Sequence, residues 1–194
     1  MYFKENAPEI YVSDYASYNN GSIVGKWFDL RDYYEIEEFI EDIVEMFKVL
    51  DITHPLGYGY KRESVMFQDW ENIPKVFVES DRISPNFWKF MEIVGDKGWN
   101  EAQMNFALQS ADSYDLSNEE ADLESIFGNI HVDEVEKYQL AKHYLIHWLG
   151  LSEEDAEKLE NCINEDYCIR VMKHSGATIE CIGENYLTDQ NVEL

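Results

Sequence analysis

Between Tyr34 and Phe47 the chain reads YEIEEFIEDIVEMF, with Ile36, Phe39, Ile40, Ile43, Val44 and Phe47 recurring at spacings of three and four. That period puts the six on one face and predicts a helix from about residue 35 to residue 50. The opposite arc holds Glu37, Glu38, Glu41, Asp42 and Glu45 and no base. Like charges four residues apart each destabilise a helix by about 0.2–0.5 kcal/mol. Three such pairs, Glu37/Glu41, Glu38/Asp42 and Glu41/Glu45, therefore need a reason.

Around this helix the pattern alternates between strand and helix. Ile10 and Val12, then Ile23, Gly25 and Trp27, predict two strands, with Tyr-Asn-Asn-Gly (Tyr18 to Gly21) supplying the turn between them. After the turn-rich loop THPLGYGYKRES, the run VMFQDW (Val65 to Trp70) predicts a third strand. The middle of the chain is helical in texture. Ser84 and Pro85 open one helix that Gly95 or Gly98 stops, Asn100 opens a second, and Ser117 with Glu120 has the spacing of a capping box for a third.

The last third is mixed again. GNIHV (Gly128 to Val132) predicts a strand, and Asp133 caps a long helix to about Leu149 with Gly150 at its end. The buried stripe of that helix is Tyr138, Ala141, Tyr144, Leu145 and Trp148. Ser152 to Glu160 predicts a short helix, and CIRVMKHSGATIECI a hairpin turning at Ser175-Gly176. The elements sum to an α+β chain: a small antiparallel sheet with a helix, a central helical bundle, and a C-terminal α+β segment.

Charge changes this picture. Among 194 residues, 40 acids face 15 bases, a net charge of -25. Residues 1–80 hold 16 acids against 7 bases, 81–130 hold 10 against 3, and 131–194 hold 14 against 5, so the charge belongs to the whole surface and not to a tail. With 45% apolar residues the chain is a folding sequence and not a disordered acidic one. Such a surface argues against direct binding to nucleic acid or to anionic lipid, both of which require basic footprints. The opening MYFKENAPEI lacks the apolar core of a signal peptide, and no run approaches a membrane span, which gives a cytoplasmic reading. Cys162, Cys168 and Cys181 are odd in number and without CxxC spacing, as reduced thiols would be.

Enzyme signatures are thin. The chain lacks GxGxxG, GxxxxGK[ST] and GxSxG motifs. His143 and His147 stand four apart, a spacing two metal ligands can use, but HYLIH lacks the Glu of HExxH. DSYDLSNEEADLE (Asp112 to Glu124) has the acidity of a calcium loop without its glycine or its alternation of ligands. No cofactor and no catalytic group is assigned. A different use of the charge fits its magnitude: duplex DNA carries one negative charge per ~1.7 Å of axis, so 25 net charges correspond to about 42 Å of duplex. Carboxylates on successive helical turns, about 5–6 Å apart, are a workable scaffold for a row of phosphate-like charges.

The segment PEIYVSDYASYNNGSIVGKWFDL (Pro8 to Leu30) resembles the opening of the ArdA-type antirestriction proteins: an apolar strand, a "YN.G" turn, then "G.W.D". The resemblance continues through the acidic helix, VMFQDWENIP (Val65 to Pro74), LESIFGNIHVDEVEKYQLAKHYL, which is similar to the family's antirestriction motif, and INEDYCIRVM (Ile163 to Met172). Two departures stand out: the loop THPLGYGYKRES, where Lys61 and Arg62 interrupt the acidity, and Val171 after Arg170, where the family often has Asp.

The resemblance implies three small domains in an elongated chain, here 1–81, 82–122 and 123–194, with dimerisation through the last. It implies inhibition of type I restriction-modification enzymes by occupation of their DNA-binding groove, without catalysis. The acids expected to form the DNA-mimicking surface are Glu37, Glu38, Glu41, Asp42 and Glu45, then Asp112, Asp115, Glu119, Glu120 and Asp122, then Asp133, Glu134 and Glu136. Tyr144 and Trp148 are expected at the homodimer interface. The rival readings are a generic acidic module that binds basic proteins and a metal-dependent enzyme built on His143 and His147.

Overall fold

The computed structural model describes residues 2–57, 62, 64–128, 130, 132–136, 139–175, 177, 179–182 and 185–189, with the backbone alone at 133–136, 180, 182 and 189. Tyr138, Gly176, most of the loop at 58–63 and positions 129 and 131 of the expected GNIHV strand lie outside them. The fold is α+β, in two compact units: Met1–Gly98 with Asp115–Ala121, and Trp99–Tyr114 with Asp122–Leu194.

The first unit is built on a three-stranded antiparallel sheet, β1 (Glu9–Asp14), β2 (Lys26–Asp29) and β3 (Val65–Glu71), in the order β2-β1-β3. Ile10 faces Phe28 on one side and Trp70 on the other, and the β1/β3 register shifts between Tyr11 and Val12. Alternation works here as period two requires: Ile10 and Val12 are fully buried while Glu9 and Tyr11 are partly exposed. Helix α3 (Ile36–Thr53) packs on this sheet through Phe39, whose ring centroid lies 5.5 Å from Phe28 and 6.2 Å from Phe67. A short helix α1 (Tyr2–Glu5) precedes the sheet, and α4 (Asn86–Lys97) buries Phe87, Phe90 and Val94, the first two with their rings 5.7 and 6.3 Å from Phe3 of α1; Gly98, with φ +66°, ends α4 in the left-handed conformation that glycine adopts without strain. The segment around Leu116 is tied to α4 by Asn86 Nδ2, which donates to the carbonyls of Leu116 (3.1 Å) and Asn118 (2.6 Å).

The expected tight turn at Tyr18-Asn19-Asn20-Gly21 is a helical one instead. Asp14 accepts a hydrogen bond from Ser17 N–H (2.7 Å) and caps a short helix α2 (Tyr15–Asn19), so the Asn-Asn-Gly residues end a helix rather than join two strands directly. Strand β2 then starts at Lys26, and Ile23 is 69% exposed.

The second unit holds α5 (Glu101–Ser110), α6 (Leu123–Gly128) and a second antiparallel sheet of β4 (Val132–Glu136), β5 (Ile179–Ile182) and β6 (Asn185–Asp189) in the order β4-β6-β5. Asn100 and Gln103 form a reciprocal capping box at the start of α5, as its sequence predicts. After β4 come α7 (Leu140–His143), a wider π-type turn over Tyr144–Trp148, α8 (Glu153–Leu159) and α9 (Glu165–His174). Leu140, Tyr144, Cys168, Met172, Ala177, Ile179 and Tyr186 make the core of this unit.

Three further expectations are corrected. Ser117 does not open a helix: its N–H and hydroxyl turn back to Asp115, and α6 begins at Leu123 with Asp122 accepting from Ser125 N–H at 3.0 Å. Asp133 does not cap a helix: residues 132–136 pair with β6, Val132 opposite Asp189 and Val135 opposite Tyr186, which suits a short run carrying β-branched residues. The expected hairpin of residues 168–182 is a helix followed by one strand, because Asn164 caps α9 (Tyr167 N–H to Oδ1, 3.2 Å) and Cys168 and Met172, four apart, are both fully buried.

Candidate acidic interaction surface

On α3 the 3.6-residue period sorts the side chains: Phe39, Ile43 and Leu50 are buried, and Glu37, Glu38, Glu41, Asp42 and Glu45 are all exposed. Local bonds hold three of these acids. Glu38 accepts from the N–H of Tyr34 (2.9 Å), Asp42 accepts from the Tyr33 hydroxyl (3.0 Å), and Glu45 pairs with Lys48 (2.9 Å). Burial, and then the Asp42 carboxylate, hold the Tyr33 phenol well above its ordinary pKa, so it remains the donor. Among the described residues Glu37 and Glu41 have neither hydrogen-bond nor ion-pair partner. Glu37 and Glu38 also lie in the first helical turn, where the positive end of the helix dipole favours them. The helix thus offsets its repulsion through local bonds at three positions and through the dipole alone at Glu37, and leaves Glu41 with neither.

Of the six residues on the apolar face of α3, only Phe39 and Ile43 are buried. Ile40 and Val44 are 49% and 47% exposed, whereas the spacing placed them with Phe39 and Ile43.

The central acids Asp112, Asp115, Glu119, Glu120 and Asp122 are likewise exposed. Two are engaged in turn formation: Asp115 accepts from the Ser117 hydroxyl (2.7 Å), and Asp122 caps α6. Glu119 lies near Arg82, whose pKa is raised chiefly by its hydrogen bond to Glu79. Asp133, Glu134 and Glu136 lie on β4 rather than on a helix. Helix α8 adds Glu153, Glu154 and Asp155, exposed in its first turn; the repetitive SEEDAEKLE was the signal for them.

The scarce bases are used locally. Arg31 binds Asp29, Arg82 binds Glu79, Lys142 binds Glu157 and Lys158 binds Glu154, each among near neighbours or on an adjacent helix. Exposed pairs of this kind add little stability, but they leave most of the acids without a counter-charge. One base is different. Arg62 is buried and donates to Asp14 (3.0 Å), Asp51 (2.6 Å) and the carbonyl of His54 (2.7 Å). The sequence marks it only as one of two bases that interrupt the acidity of the loop, with no sign of its burial or its partners.

Tyr144 is buried in the core of the second unit and Trp148 packs half-buried against it. The His143 and His147 rings lie 4.5 Å apart and tilted by 33°. Among the described residues no third His, Cys, Asp or Glu joins them in a group that could hold a metal ion. No disulfide joins the three cysteines; Cys168 is fully buried, and burial pushes its thiol pKa up. Among the described residues no helix is long and apolar enough to cross a membrane.

A family model described as Antirestriction protein (ArdA) matches residues 10–186, nearly the whole chain. No curated protein and no solved structure matches it. The chain belongs to the ArdA antirestriction family.

Proposed function

We propose that this antirestriction protein is a DNA mimic that inhibits type I restriction-modification enzymes by competing for their DNA-binding groove, with no catalytic step of its own. The observation that carries this reading is the exposed arc Glu37, Glu38, Glu41, Asp42 and Glu45, where five carboxylates line one helix with a single lysine among their partners. A groove that binds phosphates through lysine and arginine meets carboxylates at similar spacing, and displaces their counterions as it would those of DNA. The exposed central acids carry the same chemistry, and the reading assigns it also to Asp133, Glu134 and Glu136 of β4, in a chain of three domains, 1–81, 82–122 and 123–194.

The reading includes a homodimer formed through the C-terminal domain, with Trp148 and the neighbouring Leu149, which is 53% exposed, contributing apolar surface and Tyr144 supporting it from the core. It places the protein in the cytoplasm, where its target enzymes meet DNA. Light scattering reads the stoichiometry directly.

The deciding experiment is competition. A purified type I methyltransferase core is bound to labelled duplex and titrated with this protein at low and moderate salt. Displacement near stoichiometry that weakens as salt rises is the expected result. Equal binding to unrelated arginine-rich proteins, without displacement of the duplex, would replace the mimic with a generic acidic module.

A further inference from the structure

A groove of about 470 Å³ opens on the first unit between α3 and the sheet. Its walls are mainly apolar, with Ile40, Val44 and Phe47 on α3, Val65 and Phe67 on β3, and Ile83 from the segment that follows, and charged side chains complete them. At about 100° per residue, Ile40, Val44 and Phe47 fall on the arc of α3 between the buried Phe39 and Ile43 and the exposed Glu37 and Glu41. Two β-branched residues half-exposed beside a cavity are not explained by phosphate mimicry, which needs charge alone.

The surroundings of the groove say what chemistry would fill it. Its bases are all engaged: Lys48 with Glu45, Arg82 with Glu79, and the buried Arg62 with Asp14 and Asp51. The unpaired charges in and beside it are acidic: Asp81 in its lining, and Glu37 and Glu41 on the neighbouring arc of α3, are exposed and have no ion-pair partner among the described residues. We infer that this groove docks a basic amphipathic helix of a partner protein, taking two or three of its apolar side chains between α3 and β3 while its basic flanks meet Glu37, Glu41 and Asp81. The volume falls in the range of about 300–1,000 Å³ typical of specific pockets, enough for anchor side chains but not for a whole helix. The surface adjoins the acidic arc of α3 but differs from it in kind: its anchoring contribution is apolar and is not screened by salt as that of the charged flanks is. It does not rest on DNA mimicry, and no restriction enzyme enters its test.

The probe is a fluorescent peptide of about 18 leucine and lysine residues, long enough to form a helix, with leucine at the spacing of one face. Its control is an isomer of the same composition with the leucines scattered. Burial of one leucine is worth about tenfold or more in affinity, so the amphipathic isomer is expected to bind the full chain at least that much more tightly at moderate salt. The variant I40S/V44S is expected to bind the two isomers alike, and V49S/I52S, which changes exposed apolar residues on the acidic side of α3, to keep the preference. Equal binding of both isomers by the unmodified chain, or a preference that survives I40S/V44S, would overturn the inference. If I40S/V44S melts early, backbone amide shifts of the unmodified chain decide: changes at Ile40, Val44 and Phe47 support the groove, and changes confined elsewhere reject it.

Discussion

Arg62 Nε lies 3.0 Å from Asp14 Oδ2 with both side chains almost completely buried, joining the end of β1 to the stretch that precedes β3. In a chain so rich in acid, this base neutralises a carboxylate that cannot reach water. The same Asp14 caps α2 through Ser17 N–H, and the guanidinium also reaches Ser17 Oγ at 3.3 Å and the carbonyl of His54. One cluster thus fixes the start of α2, the end of α3 and the entry to β3.

Removing one partner of a buried pair leaves the other uncompensated, which costs about 3–5 kcal/mol. Arg62→Met is therefore expected to lower the unfolding free energy by that amount, read as a clear fall in the urea midpoint. Arg82→Ala, which breaks only the exposed pair with Glu79, should leave it unchanged. Comparable midpoints for the two variants would show that the buried cluster contributes nothing special.

Gly25 is required by close approach. A Cβ there would lie 2.2 Å from the Val12 carbonyl oxygen and 3.0 Å from the Tyr11 ring. Gly25→Ala must push β2 away from β1 and is expected to cost about 1–3 kcal/mol in thermal or urea unfolding. Gly57→Ala, where a Cβ meets nothing within 4 Å among the described residues, serves as the tolerated control.

Asp29 has a pKa lowered from 3.8, chiefly by its side-chain hydrogen bond with Arg31, whose Nε lies 2.9 Å away. A depressed carboxylate contributes stability that is fully present above its unfolded pKa and is lost as pH falls through the folded one. Asp29→Asn is accordingly expected to be less stable than the parent at pH ~7, with the gap closing below pH ~4. Urea unfolding of both proteins at the two pH values reads the gap; one that stayed constant or grew in acid would contradict the assignment.

Glu41 has like charges four residues away on both sides and no partner among the described residues. Glu41→Gln relieves two repulsive pairs and should raise stability by about 0.4–1 kcal/mol, at about 0.2–0.5 for each. Its effect on competition for the restriction enzyme is expected to be small. Replacing all five acids of α3 by Gln should weaken competition by at least about tenfold and flatten its salt dependence, because fewer counterions are displaced. A single substitution that abolished competition in a folded protein would point to a local site instead.

The sequence by itself determined the elements whose signals are local and unopposed. The three-and-four spacing fixed α3, the Asn100 and Gln103 pair fixed the start of α5, and alternation fixed Ile10 and Val12 as core positions. It also determined the acidic character of the surface, since a net charge of -25 cannot be buried, and the motif order carried the family. Tertiary structure decided wherever two local signals competed. Residues 133–136 read as the start of a helix but pair with β6, and residues 168–174 read as strand but belong to α9 and lay Cys168 and Met172 into the core. It also decided what only packing can reveal: that Arg62 answers Asp14 from 48 residues away, and that Ile40 and Val44 face a groove rather than the core. Helical periodicity reports which residues share a face. It does not report how much of that face the rest of the chain is wide enough to cover.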